Sequence, residues 1–223
     1  MAGLLLVAAS QAGAVSAFQN GNFAAGNYPD PGNGFETLYA SDASSTAMSG
    51  WTVVSNSVDW IGSTYWQGPP PDGGRSLDMD GSPGAGGIAQ TFATVAGATY
   101  QVTFELSGNP YPSSPGISDP WPVKTLGIKV GAGTDYDNFT FDVSQTSTTT
   151  MDWTAKSWSF VAASDSTTLT FQSMDNPNNE YCGPVLGNVT VSVVPEPITF
   201  LTGLMIVSGI GAYVRRRTRI AKV

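Results

Sequence analysis

Apolar and polar residues alternate along the middle of the chain with the period of two that is typical of half-buried β-strands. The clearest run is Thr99–Ser107, whose apolar positions are Tyr100, Val102, Phe104 and Leu106. Successive side chains of a strand point to opposite faces of a sheet, so these four residues are predicted to face a core.

Further strands are predicted on both sides of this run. Earlier candidates are Trp51–Val54, Ser57–Ile61, Ser76–Met79 and Gly87–Ala93. The alternating apolar positions that follow are Leu126, Ile128, Val130, Phe139, Phe141, Val143, Trp158, Phe160, Ala162, Leu169, Phe171, Val189, Val191 and Val193. About ten short strands, separated by Gly, Pro, Asn and Asp and without a convincing helix, predict an all-β fold. The expected architecture is an antiparallel β-sandwich of the jelly-roll type.

Both ends of the chain are predicted to be targeting sequence, which leaves residues 18–194 as one domain. The first 17 residues resemble a signal peptide, because the apolar run Leu4–Ala9 is followed by Val15-Ser16-Ala17, an acceptable cleavage site. The segment lacks a basic n-region. The alternative, a first buried strand, is disfavoured by its many Ala and Gly residues.

Residues 195–223 have the layout of a membrane tail. Pro195, Glu196 and Pro197 precede Ile198–Val214, an uncharged stretch predicted to form a transmembrane helix about 25 Å long. The basic residues that follow are predicted to stop the helix and keep the C-terminus cytoplasmic; they are Arg215, Arg216, Arg217, Arg219 and Lys222. A buried core helix is the alternative.

This tail resembles the PEP-CTERM sorting signal of bacteria that carry an exosortase. The resemblance implies that an exosortase-type membrane protease cuts near Pro195–Pro197. It also implies that the domain, first anchored in the membrane, is then released to the cell surface or extracellular matrix. Such proteins are typical of biofilm-forming bacteria that secrete polysaccharide.

Charge and composition exclude several functions. The net charge is −8, and within residues 18–194 the cations are Arg75, Lys124, Lys129 and Lys156. A surface this acidic repels phosphate groups, so nucleic acid is not an expected partner. The chain has no His, and Cys182 is its one cysteine. Catalytic triads with His, Cys-His pairs, His- or multi-Cys zinc sites and disulfides within the chain are therefore excluded.

A second resemblance covers residues 18–194 and rests on an ordered series of short strings. They are Asn20–Phe23, Gly50–Val53, Ser57–Ile61, Gly74–Met79, Ile88–Phe92, Tyr100–Phe104 and Tyr181–Val189. Together they resemble the choice-of-anchor C family, which is similar to the plant cell-wall proteins of the DUF642 family. The resemblance implies a galactose-binding-like jelly roll, association with polysaccharide and no enzymatic activity. The chain departs from the family pattern at Ala24 and at Gly187-Asn188, where family members often carry acidic residues.

Aromatic residues near the long loops 68–75 and 109–122 are the candidate ligand contacts, because sugar C–H faces pack on aromatic rings and polar side chains bind the hydroxyls. The candidates are Trp60, Tyr65, Trp66 and Trp121, with Asp59, Gln67 and Asn109 as polar partners. For Trp60 the alternative is a place in the core of the sandwich, and for Tyr65 and Trp66 both roles stay open.

The carboxylate residues suggest two alternatives to simple sugar binding, namely a calcium site and the active site of a glycoside hydrolase. Asp78 and Asp80, followed by Gly81, resemble one side of a calcium loop, and Asp135 with Asp137 is a second possibility. Solvated turn aspartates are the alternative in both cases. A glycoside hydrolase needs two carboxyls; a pair of them across one cleft, flanked by aromatic rings, would favour that activity.

The sequence therefore predicts an exported, non-catalytic protein whose β-sandwich binds carbohydrate at the cell surface or in the matrix. The second hypothesis is a purely structural matrix or biofilm protein without a specific ligand. A row of exposed aromatic residues at one loop end would favour the first.

Overall fold

The computed structural model describes residues 15–29, 34–62, 65–66, 70–72, 74–81, 84–110, 121–147, 149–175 and 181–195. Most of the predicted signal peptide, Gln67, and the tail from Glu196 onward lie outside these residues. No helix within the described ranges is long and apolar enough to cross a membrane.

The described chain is all-β, and all its strand pairs are antiparallel, as the sequence predicts. Two short 3₁₀ turns, Ala43–Thr46 and Val143–Gln145, interrupt the strands. The strands in chain order are β1 Phe35–Tyr39, β2 Thr52–Ser55, β3 Ser57–Ile61, β4 Ser76–Asp78, β5 Asp80–Gly81, β6 Gly84–Ala85, β7 Gly87–Ala93, β8 Thr99–Gly108, β9 Val123–Val130, β10 Asp137–Asp142, β11 Thr154–Val161, β12 Ser166–Ser173 and β13 Pro184–Val193.

Two sheets pack face to face and enclose the main core. One sheet has six strands in the order β1-β3-β4-β13-β8-β11, and the other has five in the order β10-β9-β12-β7-β2. The six-stranded sheet contributes Trp60, Leu77 and Leu186 to the core, and the five-stranded sheet contributes Ile88 and Phe171. The short strands β5 and β6 pair separately from both sheets.

The inward residues predicted from alternation lie where expected in β8. Tyr100, Val102, Phe104 and Leu106 are all buried in the main core. Strands β3 and β7 have the predicted bounds, Ser57–Ile61 and Gly87–Ala93. The core also extends to Phe18, whose ring lies edge-on to Trp51 and Phe92 at centroid distances of 5.8 and 5.5 Å.

Strand β1 is not predicted by the sequence pattern, because its two faces meet different apolar surroundings. Leu38 belongs to the main core. Phe35, which lies an odd number of residues away, packs against a second apolar cluster outside the sandwich. Apolar residues on both faces break the period of two that alternation requires.

Candidate functional site

A row of residues crosses the outer face of the six-stranded sheet. Asp59 in β3 is the register partner of Asp78 in β4, which pairs with Val185 in β13, and Val185 pairs with Ser107 in β8. The neighbouring row, which includes Trp60, belongs to the main core. Because side chains alternate along each strand, the row that holds the two aspartates faces away from that core.

A cavity of about 200 Å³ lies over this part of the sheet. Four of the seven residues that the sequence predicts as ligand contacts line it together: Asp59, Tyr65, Trp66 and Asn109. The other lining residues are Phe35, Ile61, Asp78, Tyr181 and Cys182. The tertiary structure therefore gathers segments that are far apart in sequence into one pocket.

The apolar wall of the pocket belongs to the second apolar cluster, formed by Ile61, Trp66, Met151 and Val185 with Phe35, Tyr65 and Trp153 packed against it. The Tyr65 ring lies 5.1 Å from the Phe35 ring and 5.5 Å from the Trp66 ring, centroid to centroid. Such edge and tilted contacts hold aromatic rings in fixed positions. Tyr65 is half-buried, so part of its ring remains available to a ligand.

The indole N–H of Trp66 is an unusual feature of this wall. The residue is 3% exposed, and its Nε1 atom is buried without a hydrogen-bond partner among the described residues. A buried unsatisfied donor costs about 1–3 kcal/mol. Because this atom has almost no accessible surface, it belongs to the packed interior of the wall and not to the open surface of the cavity.

The polar floor of the pocket is organised around Asp78, which is 1% exposed. Its Oδ1 atom accepts hydrogen bonds from the backbone N–H groups of Asp80, at 3.0 Å, and Gly183, at 3.1 Å. Its Oδ2 atom accepts a 2.6 Å hydrogen bond from Nδ2 of Asn109. A side chain on Gly183 would not fit, because a Cβ atom there would lie 2.7 Å from the Asp80 side chain. Glycine thus permits the close approach that brings this N–H to the carboxylate.

Asn109 and Asp59 complete the polar floor. Nδ2 of Asn109 also donates to the carbonyl oxygen of Tyr181 at 2.8 Å, which ties the β8 end to the rim of the pocket. The Thr37 hydroxyl donates a 2.6 Å hydrogen bond to Oδ1 of Asp59. Asp59 is 9% exposed, so it is the more accessible of the two pocket carboxyls.

Burial raises the pKa of Asp78 well above its usual range. The nearby carboxylates of Asp80 and Asp59 raise it further, and the hydrogen bonds from Asp80 and Asn109 oppose the rise. The rise in pKa reflects the cost of placing a charge in a poorly solvated site beside like charges, whereas donated hydrogen bonds stabilise the charged carboxylate.

Asp80, which follows Asp78 by two residues, is fully buried, and neither of its carboxylate oxygens makes a hydrogen bond to a described residue. Burial raises the pKa of Asp80 to about 7. The Ser173 hydroxyl, which lies near the carboxylate without meeting hydrogen-bond geometry, lowers it, as does Lys124, and Asp175 raises it.

The predicted calcium ligands Asp78 and Asp80 differ in what their carboxylate oxygens contact, since those of Asp80 accept no hydrogen bond from a described residue. Both oxygens of Asp78 already accept hydrogen bonds, and the described residues contain no cluster of three acidic or Cys side chains suited to a metal. Of the second pair, both Asp135 and Asp137 are exposed. Oδ2 of Asp137 accepts a 2.6 Å hydrogen bond from the Trp158 indole.

The remaining predicted contacts do not line the pocket. Trp60 is fully buried in the main core, the alternative that the sequence left open, and its Nε1 donates to the carbonyl oxygen of Phe23 at 2.9 Å. Its side chain is therefore a core side chain rather than a ligand contact. Trp121 is half-buried before β9 and is absent from the lining, and Gln67 lies outside the described residues.

Sequence reasoning missed Phe35, Ile61 and the rim residues Tyr181 and Cys182 as pocket residues. It assigned Asp78 to a metal site instead of the pocket. The direct pairing of Asp59 with Asp78 depends on the register of β3 and β4. Only the string Tyr181–Cys182, which is part of the second resemblance, marks the rim in the sequence.

Comparison with known proteins gives one family match over most of the chain. A family model described as "Protein of unknown function (DUF642)" matches residues 16–192. The chain is also 32% identical over 183 residues to Halomucin from Haloquadratum walsbyi. That alignment covers 81% of this chain but 2% of the relative, so the chain spans a very small part of its length.

Several solved structures match this chain at low sequence identity and with TM-scores below 0.5. A structure of CBM4 is 16% identical with a TM-score of 0.41, and the match covers 79% of this chain and 99% of that one. A family 35 carbohydrate-binding module from Clostridium thermocellum is 10% identical with a TM-score of 0.42, covering 72% and 98%. A module from the Cellvibrio mixtus lichenase 5A, in complex with cellotriose, is 10% identical with a TM-score of 0.39, covering 72% and 98%.

Proposed function

The chain belongs to the DUF642 family, and because that description names no activity, we infer the function from the pocket: the domain binds carbohydrate without catalysis. The observation that carries this proposal is the meeting of Asp59, Asp78 and Asn109 with the rings of Tyr65 and Trp66 around one cavity. The aromatic rings supply flat apolar surface for the C–H face of a sugar. The polar side chains supply partners for its hydroxyls.

The size of the cavity limits the bound part of the glycan. Pockets for drug-sized ligands measure about 300–1,000 Å³, and this one measures about 200 Å³. We therefore expect one sugar ring or a chain end to occupy it, with the rest of the polysaccharide outside. Tyr181, which is 57% exposed at the rim, is available to contact the next sugar unit.

Two carboxyls flanked by aromatic rings also meet the condition that would favour a glycoside hydrolase, so this alternative has a specific observation behind it. A hydrolase needs both carboxyls at the scissile bond, one as acid and the other as base or nucleophile. Asp78 is unsuited to either role, because it is 1% exposed and three donors occupy its oxygens. This supports binding over catalysis.

The experiment is a glycan array with the purified protein, followed by titration of the best glycan with Tyr65→Ala. Loss of a central aromatic anchor should weaken binding by about 1–3 kcal/mol. Tyr136→Ala is a matched control, since Tyr136 packs beside Gly127 on the five-stranded sheet, away from the pocket. Equal binding by both variants would remove the pocket from the proposal and leave the purely structural matrix role. Reducing-sugar release from a bound glycan, abolished in Asp59→Asn, would replace binding by hydrolysis.

We also propose that the domain, of the choice-of-anchor C type with a galactose-binding-like jelly roll, is exported and sorted through its tail. The proposal rests on the sequence of residues 195–223, with Pro195-Glu196-Pro197 before an apolar stretch and a basic end. An exosortase-type protease would act at the motif and leave the domain at the cell surface or in the matrix. The intact mass of the protein recovered from the cell surface tests this.

A further inference from the structure

Exposed valines gather at one end of the sandwich. Within residues 18–194, the described part of the chain leaves eight large apolar side chains exposed, and four of them form a group that we name the valine end: Val95, Val161, Val193 and Val194, each 38–66% exposed. The other four are dispersed over β2, the start of β9, the segment after β12 and the pocket rim. Single exposed apolar residues are ordinary on a protein surface, whereas a contiguous group marks a site of interaction.

Strand pairing brings three of these valines together. Val161 is the register partner of Thr99 at the start of β8, and the N–H of Val194 donates to the Thr99 carbonyl oxygen at 2.9 Å. Val193 is the register partner of Tyr100, the next residue of β8. The ends of β11 and β13 therefore flank the start of β8, and their backbones are two strand spacings, or about 10 Å, apart.

Val95 is held beside them by the turn that leads into β8. Its N–H donates to the Tyr100 hydroxyl at 2.9 Å. The N–H of Gly97 donates at 2.8 Å to the carbonyl oxygen of Ala162, the residue after β11, and the N–H of Ala162 donates at 3.0 Å to the carbonyl oxygen of Ala98. These hydrogen bonds fix the turn against the end of β11, so the apolar surface is preformed.

A cavity of about 240 Å³ opens beside these valines. Its lining combines apolar side chains, such as Phe160 and Val161, with serine and threonine hydroxyls, and no charged side chain is among the described residues that line it. A mixture of apolar groups and hydroxyls without charge suits the boundary between lipid headgroups and acyl chains. Asp165 is exposed in the adjoining turn, so a neutral lipid surface is a better partner than an anionic one.

The C-terminal tail leaves the domain at the valine end. Strand β13 begins at Pro184, two residues after Cys182 in the pocket lining, and ends at Val193. Its 10 residues, at about 3.3 Å each, span roughly 30 Å. The valine end and the pocket therefore lie at opposite ends of β13.

The length of chain after Val194 limits how far this end can lie from a membrane. The proposed membrane-spanning stretch begins at Ile198, four residues later. Four residues reach at most about 14 Å when fully extended, and a headgroup layer is about 5–8 Å thick. When that stretch is in the bilayer, less than about 10 Å separates Val194 from the outer edge of the headgroups.

We propose that the valine end is a membrane-docking surface, which inserts into the headgroup region of the bilayer while the tail is anchored. This inference rests on the proposed membrane tail and adds the face by which the domain meets the lipid. The tail keeps the valines at a high effective concentration near the bilayer, so a small apolar surface is sufficient for contact. The pocket, at the other end of β13, then faces away from the membrane.

Fluorescence quenching of the full chain in phosphatidylcholine vesicles tests the docking. A nitrobenzoxadiazole label is attached through Val95→Cys in a Cys182→Ser background. The matched control carries the label through Val123→Cys, at an exposed valine where β9 begins, at the far end of the sandwich. With lipids that carry a spin label near the headgroup, we expect at least twofold stronger quenching at position 95 than at position 123. Equal quenching at the two positions would overturn the proposal.

Val161→Glu should reduce the quenching at position 95 at least twofold, because a carboxylate resists burial in an apolar environment. Val54→Glu, at an exposed position of β2 outside the valine end, is the charge-matched control and should leave that quenching unchanged. Equal reductions by both variants would reveal general repulsion and overturn the proposal. A label at position 95 that is shielded from water but not quenched by the lipid would also overturn it and indicate contact with a second copy of the chain.

Flotation of the same vesicles separates the docking surface from the tail on which it rests. Protein that does not float with the vesicles would overturn the membrane tail itself. Protein that floats while the label at position 95 stays unquenched would overturn the docking surface and keep the tail.

Discussion

Nδ2 of Asn109 lies 2.6 Å from Oδ2 of Asp78 and joins the end of β8 to the strand β4, across 31 residues of sequence. The same amide nitrogen reaches the Tyr181 carbonyl oxygen at 2.8 Å. One side chain therefore connects the pocket floor, the β8 end and the pocket rim. Its loss affects both the stability of the domain and the shape of the pocket.

We predict that Asn109→Ala lowers the free energy of unfolding by about 1–3 kcal/mol, because it removes a partner from a buried carboxyl and from a carbonyl group. Urea denaturation followed by tryptophan fluorescence measures this. Asn138→Ala, at an exposed position in β10, is the control and should stay within about 0.5 kcal/mol of the wild type. Similar stability of the two variants would show that the Asn109 bond contributes little.

Stability should depend on pH through Asp80. Its pKa is raised from 3.8 to about 7 in the folded protein, so between these values the folded state holds a proton that the unfolded state has released. The contribution of Asp80 to the free energy of unfolding is fully present below about pH 3.8 and is lost as pH rises through about 7. A shift of this size corresponds to about 4 kcal/mol at most.

The variant Asp80→Asn, which cannot ionise, should therefore lose less stability than the wild type between pH 4.5 and pH 7.5. Urea unfolding at both pH values measures the difference. Asp135→Asn, at an exposed site, should follow the wild-type profile. Parallel profiles for Asp80→Asn and the wild type would contradict the role of this carboxyl.

Trp60→Phe distinguishes a core role from a ligand role. The substitution removes part of a fully buried ring and the hydrogen bond from Nε1 to the Phe23 carbonyl oxygen. We expect a loss of about 1–3 kcal/mol in the free energy of unfolding, with the carbonyl group left unpaired. Glycan affinity of the folded variant should stay unchanged, and a weakened affinity at full folding would return Trp60 to the binding site.

Glu196→Ala tests the sorting proposal. Pro195 and Pro197 lack amide donors, and Pro197 disfavours a helical Glu196. The motif is thus expected to be extended, as a protease cleft requires. In a host with an exosortase, the wild type should end near Pro195–Pro197 by intact-mass analysis, whereas Glu196→Ala should remain unprocessed in the membrane. A wild type that retains Val223 at the cell surface would indicate permanent anchoring instead.

The fold class was accessible from the sequence because each long strand has one face on the core. Alternation in Thr99–Ser107 reports that asymmetry directly, and the residues it assigns to the inside are buried. The same rule fails at β1, where Leu38 faces the main core and Phe35 faces the outer cluster. A strand with apolar residues on both faces shows no period of two.

Only some of the candidate ligand contacts could be predicted from the sequence. Tyr65 and Trp66 were identified as aromatic residues beside a long loop, since binding residues are often found on loops held by a rigid scaffold. Proximity to a loop does not distinguish these ligand contacts from a core residue such as Trp60. Side chains on a strand alternate between its two faces, and the sequence does not show which face the core covers. The hydrogen bond from Trp60 to Phe23 and its burial depend on which face the core covers.

By itself the sequence determined the all-β class and the chemistry that a chain without histidine and with one cysteine excludes. These follow from local periodicity and residue counts, which need no knowledge of long-range contacts. Only the tertiary structure decided that Asp59 and Asp78 stand side by side, and that Asn109 and Trp66 join them around one cavity. Strand register and loop placement set those distances. Both arise from packing between segments far apart in the chain, which no local pattern encodes.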